Sequence, residues 1–205
     1  RSGVQGVPSI STVAVLGDDY IGLKPRLTVQ QGDVVAAGSP VLTDKDLPSV
    51  KVVSPASGRI KSINRGARRK LISVEIELDN GAAEPVSFAD TGTIDTADGV
   101  MEKLCAAGLW TSFRTRPYSK VPSPETRPAA IYVTAMDSEP LAPNPVPIIM
   151  AEANAFSTGL AAIARLSEGT TYLCQALGTE LPGSDILGIE CVGFSRWYRV
   201  IEHFI

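Results

Sequence analysis

A spaced set of glycines near the start of the chain constrains the fold more than any other feature. The pattern Val29-x-x-Gly32-Asp33-x-Val35-x-x-Gly38 is followed by a second turn, SPASG, that ends at Gly58. We expect Gly32, Gly38 and Gly58 at turn positions with positive φ, where a side chain would clash. Short apolar runs at residues 12–16, 27–29, 50–53 and 72–78 end at turns rich in Gly, Pro or Asp. This punctuation predicts a small all-β barrel or sandwich.

The same spacing resembles the barrel-sandwich hybrid fold of lipoyl and biotinyl domains. In that fold Val35, Val41, Ile60 and Ile63 would point into a thin core. Such domains display a carrier lysine at a hairpin tip, and Lys45 lies in the corresponding interval, although its offsets from the glycines differ from the lipoyl pattern. Lys45 is therefore a candidate carrier lysine, with a solvated turn lysine as the alternative.

Beyond residue 94 the apolar period changes from two to about 3.6 residues, which indicates helices. Residues 93–96 can cap a helix that ends at Gly108, Pro147 suits a helix start, and Ser157 can cap a further helix. Apolar runs at 130–135, 171–174 and 189–192 predict strands. Alternating strands and helices predict an α/β layer with parallel pairing. We therefore expect a β domain over residues 1–93 and an α/β domain over 94–205.

Composition excludes several classes of function. The formal net charge of −3 argues against a nucleic-acid-binding module, which needs excess cations to displace phosphate counterions. One histidine, His203, excludes His-rich metal sites, and three scattered cysteines fall short of the thiolate set of an iron–sulfur cluster. No apolar stretch approaches the ~20 residues of a membrane-spanning helix. We expect no metal site and no direct membrane span.

Residues 107–122 are the segment best suited to carry chemistry. Three aromatic residues and three cations stand there between a predicted helix end and a predicted strand: Trp110, Phe113, Tyr118, Arg114, Arg116 and Lys120. Loops outside strand ends are where α/β domains bind ligands. The cations could hold an anionic group and the rings a planar ligand. The alternative is a rigid loop that docks onto a neighbour.

Four collinear segments resemble the A subunit of the sodium-translocating NADH:quinone reductase of bacterial inner membranes. They are "AVLGDDYIGLKPRLTVQQGDVVAAG", "SPASGRIKSINRGARRKL", "GLWTSFRTRPYSKVP" and "IYVTAMDSEPLAPNP". The resemblance implies a peripheral subunit on the cytoplasmic face of the membrane, with the other subunits of the pump as partners. It also implies that NADH, flavins and the iron–sulfur centre are bound by those partners, and that ubiquinone is the one redox ligand this chain could contact.

The second half resembles, more distantly, the flavin-binding subunit of respiratory complex I, which implies a Rossmann-like α/β fold. That subunit carries a glycine-rich flavin loop, "GLGGAGFPT", followed by a strand and "NAxExEP". Here Asp137 and Glu139 keep the second element as a carboxylate pair. The pair could act in acid–base chemistry or bind a cation, and the alternative is a helix cap or a turn. The first element is replaced by bulky residues, among them Phe113, Arg114 and Arg116. We therefore expect an inherited fold that no longer holds FMN.

Three functional hypotheses follow. The chain contributes to quinone binding and subunit docking within the pump, or it is a non-catalytic docking scaffold, or it carries a lipoyl- or biotin-type arm on Lys45. In each case we expect no redox centre and no catalytic residue in the chain itself. Two further features stay open. The cationic run from Lys61 to Lys70 could face anionic headgroups, an acidic subunit or solvent, and the chain departs from the family pattern after residue 195, near His203.

Overall fold

The strands of the first ninety residues form two antiparallel sheets in the computed structural model, which describes residues 9–79, 81, 83–137 and 142–195. The strand bounds are β1 Thr12–Leu16, β2 Pro25–Leu27, β3 Val34–Val35, β4 Pro40–Asp44, β5 Lys51–Val53, β6 Gly58–Arg65 and β7 Leu71–Leu78. The order in the larger sheet is β1-β7-β6-β3 and in the smaller sheet β2-β4-β5. The predicted β domain is therefore confirmed.

A thin apolar core lies between these strands. Val35, Val41 and Ile60 are each at most 4% exposed, and Ile63 packs against the same cluster. Alternation along each strand sends these side chains inward and their neighbours outward. The predicted core positions are thus confirmed.

The glycines of the β domain have two different roles. Gly32 and Gly38 adopt positive φ, 93° and 89°, as predicted for turns. Gly58 does not: it begins β6, and a Cβ there would lie 2.1 Å from the carbonyl oxygen of Glu77 on the adjacent strand. The expectation of a positive φ at Gly58 is wrong, because close approach of two strands, and not turn geometry, requires glycine at that position.

A parallel three-stranded sheet forms the centre of the second half. Its strands are β8 Ile131–Thr134, β9 Thr171–Ala176 and β10 Ile189–Phe194, and their order in the sheet is β10-β9-β8. Leu173 on β9 is fully buried and packs with Leu160 of the third helix. Parallel strands require crossover connections. The helices at residues 146–151 and 153–164 lie in the crossover from β8 to β9, whereas residues 177–188 connect β9 to β10 without a helix. The predicted α/β architecture is confirmed.

Three α-helices are described: α1 Ala97–Ala106, α2 Val146–Ala151 and α3 Ala153–Ala164. The predicted cap of α1 is confirmed, because Thr96 Oγ1 accepts the backbone N–H of Gly99 at 3.2 Å. Gly108 follows α1 with φ 74°, the left-handed conformation expected after a helix end. Pro147 lies in the first turn of α2, as predicted. Ser157 lies inside α3, so its predicted capping role is wrong: the backbone is already helical from Ala153.

The chain divides into two compact units. One comprises the residues up to Thr91 together with Glu102–Ser123, and the other comprises Gly92–Met101 together with the residues from Pro124 onward. The domain boundary between residues 93 and 94 remains a prediction, since a compact unit need not be an independently folding domain. Within the described ranges, no helix is long and apolar enough to cross a membrane.

Candidate functional site

The loop over residues 109–122 contains the aromatic and cationic candidates, and its base is held by Trp110. This side chain is 5% exposed and belongs to a 3₁₀ turn, Leu109–Ser112. Its Nε1–H donates to the carbonyl oxygen of Pro122 at 2.9 Å. The ring of Phe113 packs edge-on against it, with the centroids 5.1 Å apart. Burial with a satisfied N–H identifies Trp110 as an anchor of the loop.

Arg114 joins this base to the turn before β2. Its guanidinium donates to the carbonyl oxygens of Thr111, Phe113 and Asp19, the last at 2.9 Å across 95 positions of sequence. A planar guanidinium with several N–H donors suits this bridging role. Arg114 therefore acts first as a structural clamp.

The tip of the loop is a tight turn that presents the other three candidates. Two backbone bonds close it, from Thr115 N to the Lys120 carbonyl and from Ser119 N to the Thr115 carbonyl, both at 2.8 Å. Arg116 donates to Ser119 Oγ at 3.2 Å, and its peptide bond to the following proline is cis. Tyr118 is 75% exposed at the apex.

Lys120 and Tyr118 form a cation–π contact at this tip, with Lys120 Nζ 5.9 Å from the centroid of the Tyr118 ring. The structure thus separates the six candidates into two groups. Trp110, Phe113 and Arg114 build the base, whereas Arg116, Tyr118 and Lys120 form the exposed tip.

The loop packs against the β domain through its two ends. Val121 donates its N–H to the Ile21 carbonyl at 3.0 Å. At the other end, a Cβ on Gly108 would lie 2.9 Å from Val53 Cγ2, so the space beside this glycine is filled by a valine. A phosphate cradle needs open backbone N–H groups beside its glycines. The side of Gly108 that faces Val53 is therefore closed.

The remaining candidates lie apart from this loop. Asp137 is exposed, three residues beyond β8, and its predicted partner Glu139 lies outside the described residues, as does His203. Lys45 is exposed in the turn between the paired strands β4 and β5. The Asp44 carboxylate braces this turn by accepting the N–H of Asp46 at 2.8 Å. Lys45 therefore lies at a hairpin tip, the position that the carrier hypothesis requires.

A cleft on the β domain was missed by the sequence analysis. Its volume is about 480 Å³, and it lies between the turn that follows β1 and the turn that precedes β7. Tyr20, Ile21 and Leu71 line it together with three residues of the cationic run, Arg65, Arg69 and Lys70. The cationic run gave a signal in the sequence, but nothing there showed which apolar residues it meets.

Tyr20 and the cysteines have perturbed acidities. Burial, reinforced by the neighbouring Asp19 carboxylate and opposed by Arg114, raises the pKa of Tyr20. Its hydroxyl is therefore a hydrogen-bond donor at neutral pH. Burial also raises the pKa of the free thiol of Cys105, to about 11. Among the described residues, no group of three His, Cys, Asp or Glu side chains lies together as a metal site would need.

Two family profiles match the chain. One, described as the NqrA N-terminal barrel-sandwich hybrid domain, matches residues 1–79, and the other, described as the NqrA second alpha/beta domain, matches residues 95–198. Together they cover both halves of the architecture described above. The barrel-sandwich hybrid predicted from the glycine spacing is confirmed.

Curated proteins that are similar in sequence to this chain are A subunits of the same enzyme family. The A subunit of the Na(+)-translocating NADH-quinone reductase of Serratia proteamaculans is 47% identical over 182 residues, 87% of this chain and 40% of the relative. The proteins of the same name from Rhodopirellula baltica and Saccharophagus degradans are 42% and 43% identical, over 92% and 95% of this chain and 42% and 44% of their own lengths. The chain thus spans less than half the length of these relatives. Both profiles and all three relatives assign the same membership: the chain belongs to the NqrA family, the A subunits of the Na⁺-translocating NADH-quinone reductases.

Proposed function

We propose that this chain works as part of a peripheral subunit on the cytoplasmic face of the membrane, in a sodium-pumping NADH:ubiquinone oxidoreductase. Its own contribution is to dock partner subunits through the tip of the loop over residues 109–122. The observation that carries the proposal is Tyr118, 75% exposed at the apex of a braced turn.

The tip has the composition of an interface anchor. Tyrosine and arginine are over-represented among the residues that dominate binding energy. Here Tyr118 stands between Arg116 and Lys120 on a turn that two backbone hydrogen bonds close. A turn ordered before binding loses little conformational entropy when a partner covers it. The base residues Trp110 and Arg114 maintain that order.

Co-purification tests the docking role. Tyr118→Ala in the full-length protein should reduce recovery of the other pump subunits on an affinity tag by at least about fivefold, the cost expected of an interface anchor. Leu187→Ala removes another strongly exposed side chain, 98% exposed, and should leave recovery unchanged. Undiminished recovery with Tyr118→Ala would contradict the proposal.

A contribution to quinone binding is the second candidate, and the pairing of Lys120 with the Tyr118 ring favours it. An exposed ring beside two cations could stack on a quinone and donate to its carbonyl oxygens. Photo-crosslinking of the assembled pump with a quinone analogue should then label residues 115–120. Labelling confined to other segments would leave docking as the role of the loop.

We further propose that the chain holds no flavin, so that NADH oxidation, the flavins and the iron–sulfur centre belong to partner subunits. The valine packed beside Gly108 supports this, because a flavin loop keeps its glycines open so that a phosphate can approach the backbone. The flavin absorbance of the purified full-length protein, separated from its partners, tests this assignment. A stoichiometric flavin would contradict it.

The carrier hypothesis rests on Lys45 alone. Its exposed position in the β4–β5 turn supports access by a modifying enzyme. The intact mass of the chain from its native host decides the matter. An added lipoyl or biotinyl mass that disappears in Lys45→Arg would support the hypothesis, and an unmodified mass would exclude it.

A further inference from the structure

The cleft on the β domain is formed by two turns that are distant in sequence. Residues 17–23 make one wall and residues 65–71 make the other. The volume of about 480 Å³ falls in the range of small-molecule sites. Two of its lining residues also meet the docking loop: Ile21 accepts the N–H of Val121, and Gly22 lies beside the Lys120 side chain. Tyr118 is not among the lining residues.

The backbone of its two walls is ordered before any ligand binds. A Cβ at Gly17 would lie 2.3 Å from the carbonyl oxygen of Leu71, so the two walls touch backbone to backbone. Within the first wall, Leu23 N–H donates to the Tyr20 carbonyl at 3.1 Å, and Arg114 holds the Asp19 carbonyl at 2.9 Å. A preformed cleft binds without the cost of ordering its own residues.

The lining combines cationic and apolar residues. Arg65, Arg69 and Lys70 bring three cations, and among the described lining residues Asp18 supplies the one carboxylate. Asp18 pairs with Lys70 at 2.5 Å, and Arg114 opposes the effect of the neighbouring Asp19 carboxylate on Tyr20. The guanidinium groups of Arg65 and Arg69 remain as a local positive excess in a chain of net charge −3. Arg65 uses one N–H on the carbonyl of Arg69 at 2.9 Å, and a guanidinium has further donors.

The cationic wall holds a strained conformation. Arg68 and Arg69 adopt positive φ, 55° and 62°, in the turn between β6 and β7. Arginine adopts this left-handed region only at an energetic cost, and such outliers cluster at ligand sites. Here the conformation places consecutive cations at one end of the sheet, and Arg69 in the cleft wall.

We propose that this cleft binds a phosphate group that bears a short apolar substituent. Arg65 and Arg69 donate to the phosphate oxygens, as guanidinium groups do in bidentate pairs. The Tyr20 hydroxyl adds a neutral donor, and Ile21 and Leu71 contact the apolar substituent. The phosphate comes from the headgroup of a membrane lipid or from a soluble phosphate monoester, since both present the same chemistry.

Two probes distinguish these sources on the 205-residue chain. Titration calorimetry with dihexanoyl phosphatidylglycerol, below its micelle concentration, measures the lipid headgroup, and titration with n-butyl phosphate measures a soluble monoester with a short apolar substituent. Tighter binding of the first identifies a lipid site, and tighter binding of the second identifies a soluble ligand. For a lipid site, the chain should also sediment with vesicles of phosphatidylglycerol and phosphatidylcholine but not with phosphatidylcholine alone.

Variants locate the binding in the cleft. Arg69→Gly removes one cation while suiting the positive φ, so the turn is retained, and Arg65→Gln removes the other. Each should weaken the binding of the preferred probe by at least about tenfold, the usual consequence of losing a charge-assisted pair. Lys61→Gln, which removes an exposed cation of the same run outside the cleft, should change it less than about twofold. No binding of either probe at millimolar concentration, or an equal loss with Lys61→Gln, would overturn the proposal.

Discussion

The indole nitrogen of Trp110 lies 2.9 Å from the carbonyl oxygen of Pro122, and this hydrogen bond joins the two ends of the docking loop. The bond spans twelve positions of sequence and lies against the β domain, where Val121 and Arg114 make further contacts. The base residues therefore hold the exposed tip in place. A substitution in the base can weaken these contacts without changing any residue of the tip.

Trp110→Phe tests this closure. The substitution keeps an aromatic ring but leaves the Pro122 carbonyl without its donor, which should lower the free energy of unfolding by about 1–2 kcal/mol. Urea denaturation followed by circular dichroism measures the change. Tyr118→Phe removes a polar atom from the exposed tip and should change stability by less than about 0.5 kcal/mol. Equal urea midpoints for Trp110→Phe and the unmodified chain would show that the bond contributes nothing.

Arg114→Lys tests the clamp between the loop and the turn at Asp19. A lysine ammonium cannot reproduce the planar set of donors that reaches three carbonyl oxygens. We expect the loop to open more often and trypsin to cleave faster after Lys120, by roughly three- to tenfold if about 1 kcal/mol of local stability is lost. Mass spectrometry of the early fragments reports the site. Cleavage after Lys45, which is exposed in the β4–β5 turn, should keep its rate and serves as the control. Unchanged cleavage after Lys120 would contradict the clamp.

Gly58→Ala tests the close approach of β6 and β7. The new methyl group would meet the Glu77 carbonyl oxygen at 2.1 Å, so the strands must separate. We expect a loss of about 1–3 kcal/mol of unfolding free energy, as overpacked sites show. Gly159→Ala gives the matched control, because a Cβ there meets nothing within 4 Å inside α3. That variant should gain about 0.5–1 kcal/mol from helix propensity. Destabilisation by both variants alike would contradict this account.

The cysteines should differ in alkylation. Cys105 and Cys174 are at most 4% exposed, whereas Cys191 is half-buried. Burial raises the pKa of all three thiols, so at pH 8 each is mainly protonated and only the rare thiolate reacts. Iodoacetamide should therefore label Cys191 first, and the other two only as the chain opens. Peptide mapping over time measures the order, and early labelling of Cys105 would contradict its burial.

Most of the β domain could be predicted because its signals are local. The glycine spacing and the alternation of residues 72–78 depend on neighbours in sequence, and so does the cap at Thr96. Gly58 and Ser157 were assigned wrongly for the same reason. The need for glycine at Gly58 comes from Glu77 on another strand, and the helix around Ser157 begins upstream of the capping signal.

The candidate site was only half predictable. Sequence identified the six aromatic and cationic residues of the loop but gave no means to divide them into base and tip. That division depends on contacts across long separations, such as Arg114 with Asp19. The cleft beside Tyr20 depends on the meeting of Gly17 and Leu71, which no local pattern encodes.

The left-handed turn at Arg69 has a consequence for engineering. Glycine at this position would remove the cost of the conformation, a gain of up to about 1 kcal/mol once the greater freedom of the unfolded chain is subtracted. The same substitution would remove a phosphate donor. If Arg69→Gly raises the melting temperature and weakens phosphate binding, then the positive φ of residue 69 lowers the stability of the fold in exchange for ligand affinity.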